Sequence, residues 1–231
     1  MNVGNIVKEA YEILRKNLVL VVPPLVVSIV LALLMMVIVG TAVMKMGETR
    51  IPQAGGGFVF LTFIGAVISF TLHALAQGVT ISMAGDIKSG EGCNLKRSFD
   101  TALSRLSALI GGGLIFGVLV TIGMALLFIP GLVVALLFMF TFVAIMEDEE
   151  GAVGGLKRSF SIVKENFGAS LSVFIVLIGI GLLVGIVNAI IGMIPLLGQL
   201  LSIFLMGAFF SYTAVTLVLA YRELMKGGEQ V

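Results

Sequence analysis

The chain has few residues able to carry charge or ligate a metal. Of 231 residues, one is cysteine, one is histidine and none is tryptophan. The single thiol, Cys93, excludes an internal disulfide framework and a thiolate zinc site. Charged residues make up 12% of the chain. That is about half the roughly 25% of an ordinary globular domain, so the sequence is too apolar for a water-soluble fold. The 14 Lys and Arg nearly balance the 13 Asp and Glu. No basic patch interleaved with aromatics occurs, which argues against nucleic acid as a partner. There is no glycine-rich phosphate loop, nucleophile–base pair or spaced pair of carboxylates. The sequence therefore implies no cofactor, no metal and no catalysis.

What the sequence does contain is long hydrophobic runs. A helix crosses the hydrocarbon core in about 20 residues. Six segments qualify: Leu18–Met44, Phe58–Ala84, Ser107–Ile129, Gly131–Met146, Gly168–Ile194 and Leu196–Tyr221, and none contains Asp, Glu, Lys or Arg. The first, at 27 residues, exceeds the ~7–15 of a signal-peptide core and is expected to remain as a span. The fourth has only 16, and must borrow flanking turns or sit in a thinned bilayer. Twelve of the Lys and Arg fall on one side: Lys8, Arg15 and Lys16; Lys88, Lys96, Arg97 and Arg105; Lys157, Arg158 and Lys164; Arg222 and Lys226. Lys45 and Arg50 alone remain on the other. Positive residues stay on the cytoplasmic side, so both termini are predicted to be cytoplasmic, in a multi-pass protein of the cell membrane.

The pentapeptide LKRSF occurs twice, at Leu95–Phe99 and Leu156–Phe160. Each copy opens an apolar stripe at 4-3-4 spacing: Leu95, Phe99, Ala102, Leu106, then Leu156, Phe160, Val163, Phe167. Val7, Tyr11, Leu14 and Leu18 repeat the spacing near the N-terminus. This spacing lines one face of a helix, with Lys and Arg on the other. Each unit also has an Ile-Pro step, at Ile51-Pro52, Ile129-Pro130 and Ile194-Pro195, where proline breaks one helix and opens the next. The predicted architecture is an all-α membrane domain spanning residues 1–231. It comprises three tandem repeats (2–85, 93–146 and 153–221) of a cytoplasmic amphipathic helix followed by a helical hairpin. The repeats share one direction, so their axis should follow the bilayer normal, unlike that of inverted-repeat transporters.

The basic faces of these feet offer Lys96, Arg97, Arg105, Lys157, Arg158 and Lys164 to anionic lipid headgroups. Alternatively, the feet cap the bundle and pack on protein. Small residues mark helix interfaces in lipid: Gly113, Gly117, Thr121 and Ala125 on the third span, and Gly181, Gly185, Asn188 and Gly192 on the fifth. These faces serve packing within the chain or between copies of it, which leaves a homo-oligomer open. The second span aligns Thr62, Ala66, Ser69, His73, Gln77 and Thr80. His73, Gln77 and Asn188 form a candidate intramembrane polar site, either a solute path or simply hydrogen bonds that hold helices together. Glu147-Asp148-Glu149-Glu150 is the one acidic cluster. It reads as a cation or partner site, or as a solvated helix end, because consecutive residues do not share a helical face.

The run FIPGLVVALLFMFTFVAIMEDEEGAVGGLKRSFSIVKENF resembles a broad family of six-span prokaryotic membrane proteins. That family includes the membrane domain of bacterial glycerophosphodiester phosphodiesterases. Ile129, Pro130, Gly131, Glu147, Gly151 and Ser159 carry the resemblance, which is strongest over about 95–167. It implies a six-helix membrane module and a connection to phospholipid metabolism only through the fused phosphodiesterase domain. Mitochondrial carriers also combine three repeats with six spans. Their Pro-x-Asp/Glu-x-x-Lys/Arg signature is missing here, and the surface helix precedes each hairpin instead of splitting it. The sequence thus favours a non-enzymatic membrane module that associates with lipids or with another membrane protein. The alternative is a transporter or channel for a small uncharged or lipid-like solute. A membrane enzyme ranks third, and would need Glu147–Glu150 to converge with Arg or Lys from another repeat.

Overall fold

The computed structural model describes residues 2–46, 56–194 and 197–228, and every regular element among them is helical. In order these are α1 (Val3–Lys16), a 3-10 turn (Leu18–Val21), α2 (Val22–Met46), α3 (Gly56–Lys88), α4 (Leu95–Ser104), α5 (Leu106–Leu126), α6 (Phe128–Leu137), α7 (Thr141–Glu147), α8 (Ala152–Glu165), α9 (Phe167–Gly192) and α10 (Leu197–Gly228). Five units are long and apolar enough to cross a membrane: α3, α5, α6 with α7, α9 and α10. The stretch from Leu18 onward meets α1 at a 93° bend, and counting that bent pair as one span brings the number to six. Large apolar side chains such as Leu126, Phe128, Leu182 and Leu197 are exposed. Soluble monomers rarely expose apolar patches so large, and the pattern is that of a multi-pass membrane protein.

The corners between short and long helices follow from local chemistry. Asn2 and Asn94 cap α1 and α4, accepting from the N–H of Asn5 at 3.3 Å and of Arg97 at 3.1 Å. Such caps satisfy amide groups that the first turn leaves free. Asn17 and Asn166 close α1 and α8, donating their side-chain amides to Ile13 O at 3.0 Å and Ile162 O at 3.2 Å. The turn between α5 and α6 is a single extended residue, Leu127, with Pro130 in the first turn of α6. Pro lacks an N–H that this position does not need. The other two Ile-Pro steps lie wholly or partly outside the described residues.

α10 lies at the centre, packed on α1, α2, α3 and α9. Of its most apolar stretch 56% is buried, against 6% for α9, which is peripheral. Pro24 stands in the first turn of α2, where its missing N–H leaves the Leu20 carbonyl without a helical donor. Ser211 of α10 supplies one: its Oγ is 2.8 Å from Leu20 O, and also 3.0 Å from Gly207 O within its own helix. One hydroxyl has one proton, so these two carbonyls share it. Tyr212, the next residue, donates to Val7 O of α1 at 3.3 Å. Together these bonds tie the first elements of the chain to the last.

The fourth span does borrow a flanking turn, starting at Phe128. It is also broken over Phe138–Phe140, where neither Pro nor Gly occurs. The freed backbone groups are satisfied by Ser159, the serine of the second LKRSF. Its Oγ donates to Leu137 O at 3.0 Å and accepts from the Phe140 N–H at 3.1 Å. Ser159→Ala would leave the buried Phe140 N–H and the part-buried Leu137 carbonyl without this partner, a loss of about 1–3 kcal/mol. A lower thermal midpoint in detergent is the expected readout. Ser161→Ala should leave that midpoint unchanged, because the Ser161 hydroxyl meets only exposed Glu165.

Candidate functional site

One end of the molecule is a charged layer built from the ends of several helices. The acidic cluster at the C-terminal end of α7 belongs to it, and its members diverge to different partners. Glu147 accepts from Arg222 Nε of α10 at 2.5 Å. Asp148 pairs with Arg158 of α8 at 3.0 Å and accepts the hydroxyl proton of Tyr221. Glu149 receives Arg105 twice, on its carboxylate and on its carbonyl, each at 2.6 Å. Glu149 has φ 58°, a left-handed conformation at the end of a helix where glycine is usual, and the double contact from Arg105 holds it there. Glu150 lies over Gly154 at the start of α8, where negative charge suits the helix N-terminus.

Arginines from three other elements therefore do converge on Glu147–Glu149. The outcome is pairwise neutralisation, not a free acid or base. Among the described residues no group of three or more His, Cys, Asp or Glu is placed to hold a metal ion. Two further pairs extend the layer. Lys88 of α3 bonds Glu9 of α1, while Arg97 of α4 bridges Asp86 at 3.5 Å and Glu91 at 2.5 Å. Ser98 is completely buried, with its hydroxyl 3.4 Å from Asp86. A cleft of about 540 Å³ opens between Glu9, Lys88, Glu147, Asp148 and Arg222. Nearby, burial first and Asp86 second push the Cys93 thiol above its usual range. It stays protonated and poorly reactive at neutral pH.

The six cations expected at headgroups thus divide by type. Arg97, Arg105 and Arg158 are held by carboxylates of the chain itself. Lys96, Lys157 and Lys164 are exposed and make no ion pair among the described residues. Periodicity alone carries no sign of this division, although arginine's rigid fork suits fixed carboxylate partners better than lysine does.

The apolar stripes divide as well. Ala102 and Val163 are fully buried, whereas Tyr11, Phe99 and Phe160 are 59%, 44% and 42% exposed. Each foot therefore packs one edge on protein and leaves an aromatic on the outside. The two readings of these helices, as cap and as exposed amphipathic surface, apply to different edges of one helix.

The candidate intramembrane site separates. His73 and Gln77 share an indentation of about 90 Å³ with Ser28, Thr80 and Thr213, whereas Asn188 is not part of its lining. Asn188 Oδ1 is buried without a partner. His73 Nδ1 lies 2.9 Å from Ser69 O, and a carbonyl only accepts, so Nδ1 carries the proton. Thr80 likewise donates to Ala76 O at 2.9 Å. These polar side chains bond within α3, where hydrogen bonds between helices were expected. The small-residue faces are only partly used. Gly113 meets Phe70 and Phe142, and Gly181 meets Phe209, but Gly117, Gly185 and Gly192 face open space.

No curated protein matches the chain, and no solved structure does. One family profile matches residues 1–224, that of a domain of unknown function, DUF7847. The match covers nearly the whole chain, so the protein belongs to the DUF7847 family.

Proposed function

We propose that this protein is a non-catalytic membrane module whose charged layer faces the cytoplasm and binds anionic lipid. The observation that carries this reading is the division of its cations. Of the six basic residues on the second and third feet, Arg97, Arg105 and Arg158 are paired with carboxylates of the chain, whereas Lys96, Lys157 and Lys164 stand exposed and unpaired among the described residues, with the exposed rings of Phe99 and Phe160 on the same helices. A basic residue next to an outward aromatic suits the interface between headgroups and lipid chains. Kinship to the membrane domain of glycerophosphodiester phosphodiesterases belongs to this reading. It is supported by roles for the shared residues: the Pro130 turn, the Glu147 bridge and the buried Ser159.

Three tandem repeats with both termini cytoplasmic complete the proposal. Short helix, long helix, long helix recurs three times in the element order once α6 and α7 are joined. Ala10, Ser98 and Ser159 stand at one register of the stripes, and all three are fully buried. The bridges Glu9–Lys88, Arg97–Asp86, Arg105–Glu149 and Arg222–Glu147 gather the basic segments at one end, as the positive-inside pattern requires. The indentation at His73, at about 90 Å³, is small and offers little support for a solute path.

Lipids that copurify with the protein, identified by mass spectrometry, test the reading. Enrichment in anionic species is expected. Changing Lys96, Lys157 and Lys164 to Gln should reduce it markedly, at about 1 kcal/mol per lysine near the surface. Arg105→Gln and Arg158→Gln should instead lower the melting temperature and leave the enrichment in place. Equal lipid composition in wild type and the triple variant would refute the proposal.

A further inference from the structure

Beneath α1 lies an apolar groove of about 490 Å³, formed by Tyr11 and Leu14 of α1, Ile180 and Val184 of α9, and Leu205 and Ala208 of α10. Lys8 stands on its lining, is exposed, and makes no ion pair among the described residues. The two carboxylates of α1 are taken elsewhere, Glu9 by Lys88 and Glu12 by Lys16 at 3.7 Å. The positive charge at the groove is therefore uncompensated.

The same pairing occurs on α8. A second apolar groove, of about 320 Å³, is lined by Leu119, Phe138, Val153, Leu156 and Phe160, again with Lys157 on its lining. Lys8 precedes Tyr11 by three positions, as Lys157 precedes Phe160 and Lys96 precedes Phe99. Residues three apart share a helix face, so each foot presents an ammonium next to a ring at one register.

We propose that the groove under α1 is a specific site for one anionic phospholipid, with a hydrocarbon chain between α1, α9 and α10 and the phosphate on Lys8. The site rests on the lipid-binding reading above and gives it a location. Apolar walls favour a hydrocarbon chain and leave water without partners. The unmatched ammonium selects an anionic headgroup over one whose phosphate is already balanced by choline.

Native mass spectrometry of the full-length protein in detergent, titrated with phosphatidylglycerol or with phosphatidylcholine of the same chains, tests this. Wild type should bind phosphatidylglycerol more tightly. Lys8→Gln should weaken that binding about fivefold without affecting phosphatidylcholine. Ala208→Phe fills the groove without changing charge and should remove one bound lipid. Val184→Phe serves the same purpose if the first variant melts early. A preference for phosphatidylglycerol that survives Lys8→Gln and both groove-filling changes overturns this site but leaves the broader reading intact. No preference in wild type overturns both.

Discussion

Glu147→Ala is expected to destabilise the protein by about 3 kcal/mol. That is the low end of the ~3–5 kcal/mol for removing one partner of a buried pair, because the Glu147 and Arg222 side chains keep 15% and 27% of their exposure. The loss would come from leaving the Arg222 guanidinium without its carboxylate against α3, where the Ser89 hydroxyl at 2.9 Å is a neutral partner. A Cβ on Gly85 would lie 2.2 Å from the Glu147 carboxylate and 3.0 Å from Arg222, so the pair sits directly against that glycine. A double-mutant cycle separates the pair from its surroundings. If the bridge matters, Arg222→Met should cost much less in the Glu147→Ala background than in wild type. Simple additivity of the two losses, measured by thermal or denaturant unfolding in micelles, would show that the bridge contributes nothing.

The second large effect is expected where α5 turns into α6. A Cβ on Gly123 would lie 2.9 Å from the Gly131 Cα and 3.0 Å from its N. Backbone cannot rotate out of the way as a side chain can. Gly123→Leu should therefore reach or pass the upper end of the ~1–3 kcal/mol that overpacking usually costs. Its natural control is Gly117 on the same helix, around which a Cβ meets nothing within 4 Å. Gly117→Ala should be neutral or gain up to ~1 kcal/mol from better helix propensity. Equal melting temperatures for the Gly123 and Gly117 variants would mean that the hairpin does not depend on this close approach.

That pair of glycines also marks how far the sequence could be read. Small-residue spacing picked out Gly113 and Gly117 as one face, yet one is packed against aromatic rings and the other is open, while Gly123 falls off the pattern. Spacing identifies which residues share a face of a helix; which faces meet a neighbour depends on where the other helices stand. The same holds on the feet, where Leu156 and Phe160 belong to one stripe but only Leu156 is buried.

Helix existence and approximate ends were legible, because length and hydropathy are local properties: Ser107–Ile129 was expected and Leu106–Leu126 is found. The break at Phe138–Phe140 was not, since the hydroxyl that satisfies its backbone groups lies about twenty residues later in the chain. At the charged layer, sequence supplied the gathering of basic residues and the acidic cluster. It did not supply the matching of Arg105, Arg158 and Arg222 to successive carboxylates, which only tertiary placement decides.

The bonds from Ser211 to Leu20 and from Tyr212 to Val7 join residues 191 and 205 positions apart. During translation the opening helices enter the bilayer long before the closing one exists. Until α10 is threaded in, the Leu20 carbonyl has no protein donor in a medium that offers few others. Biogenesis should thus have a late, decisive step, and a nascent chain stalled before that helix would be an unsealed substrate for membrane quality-control proteases.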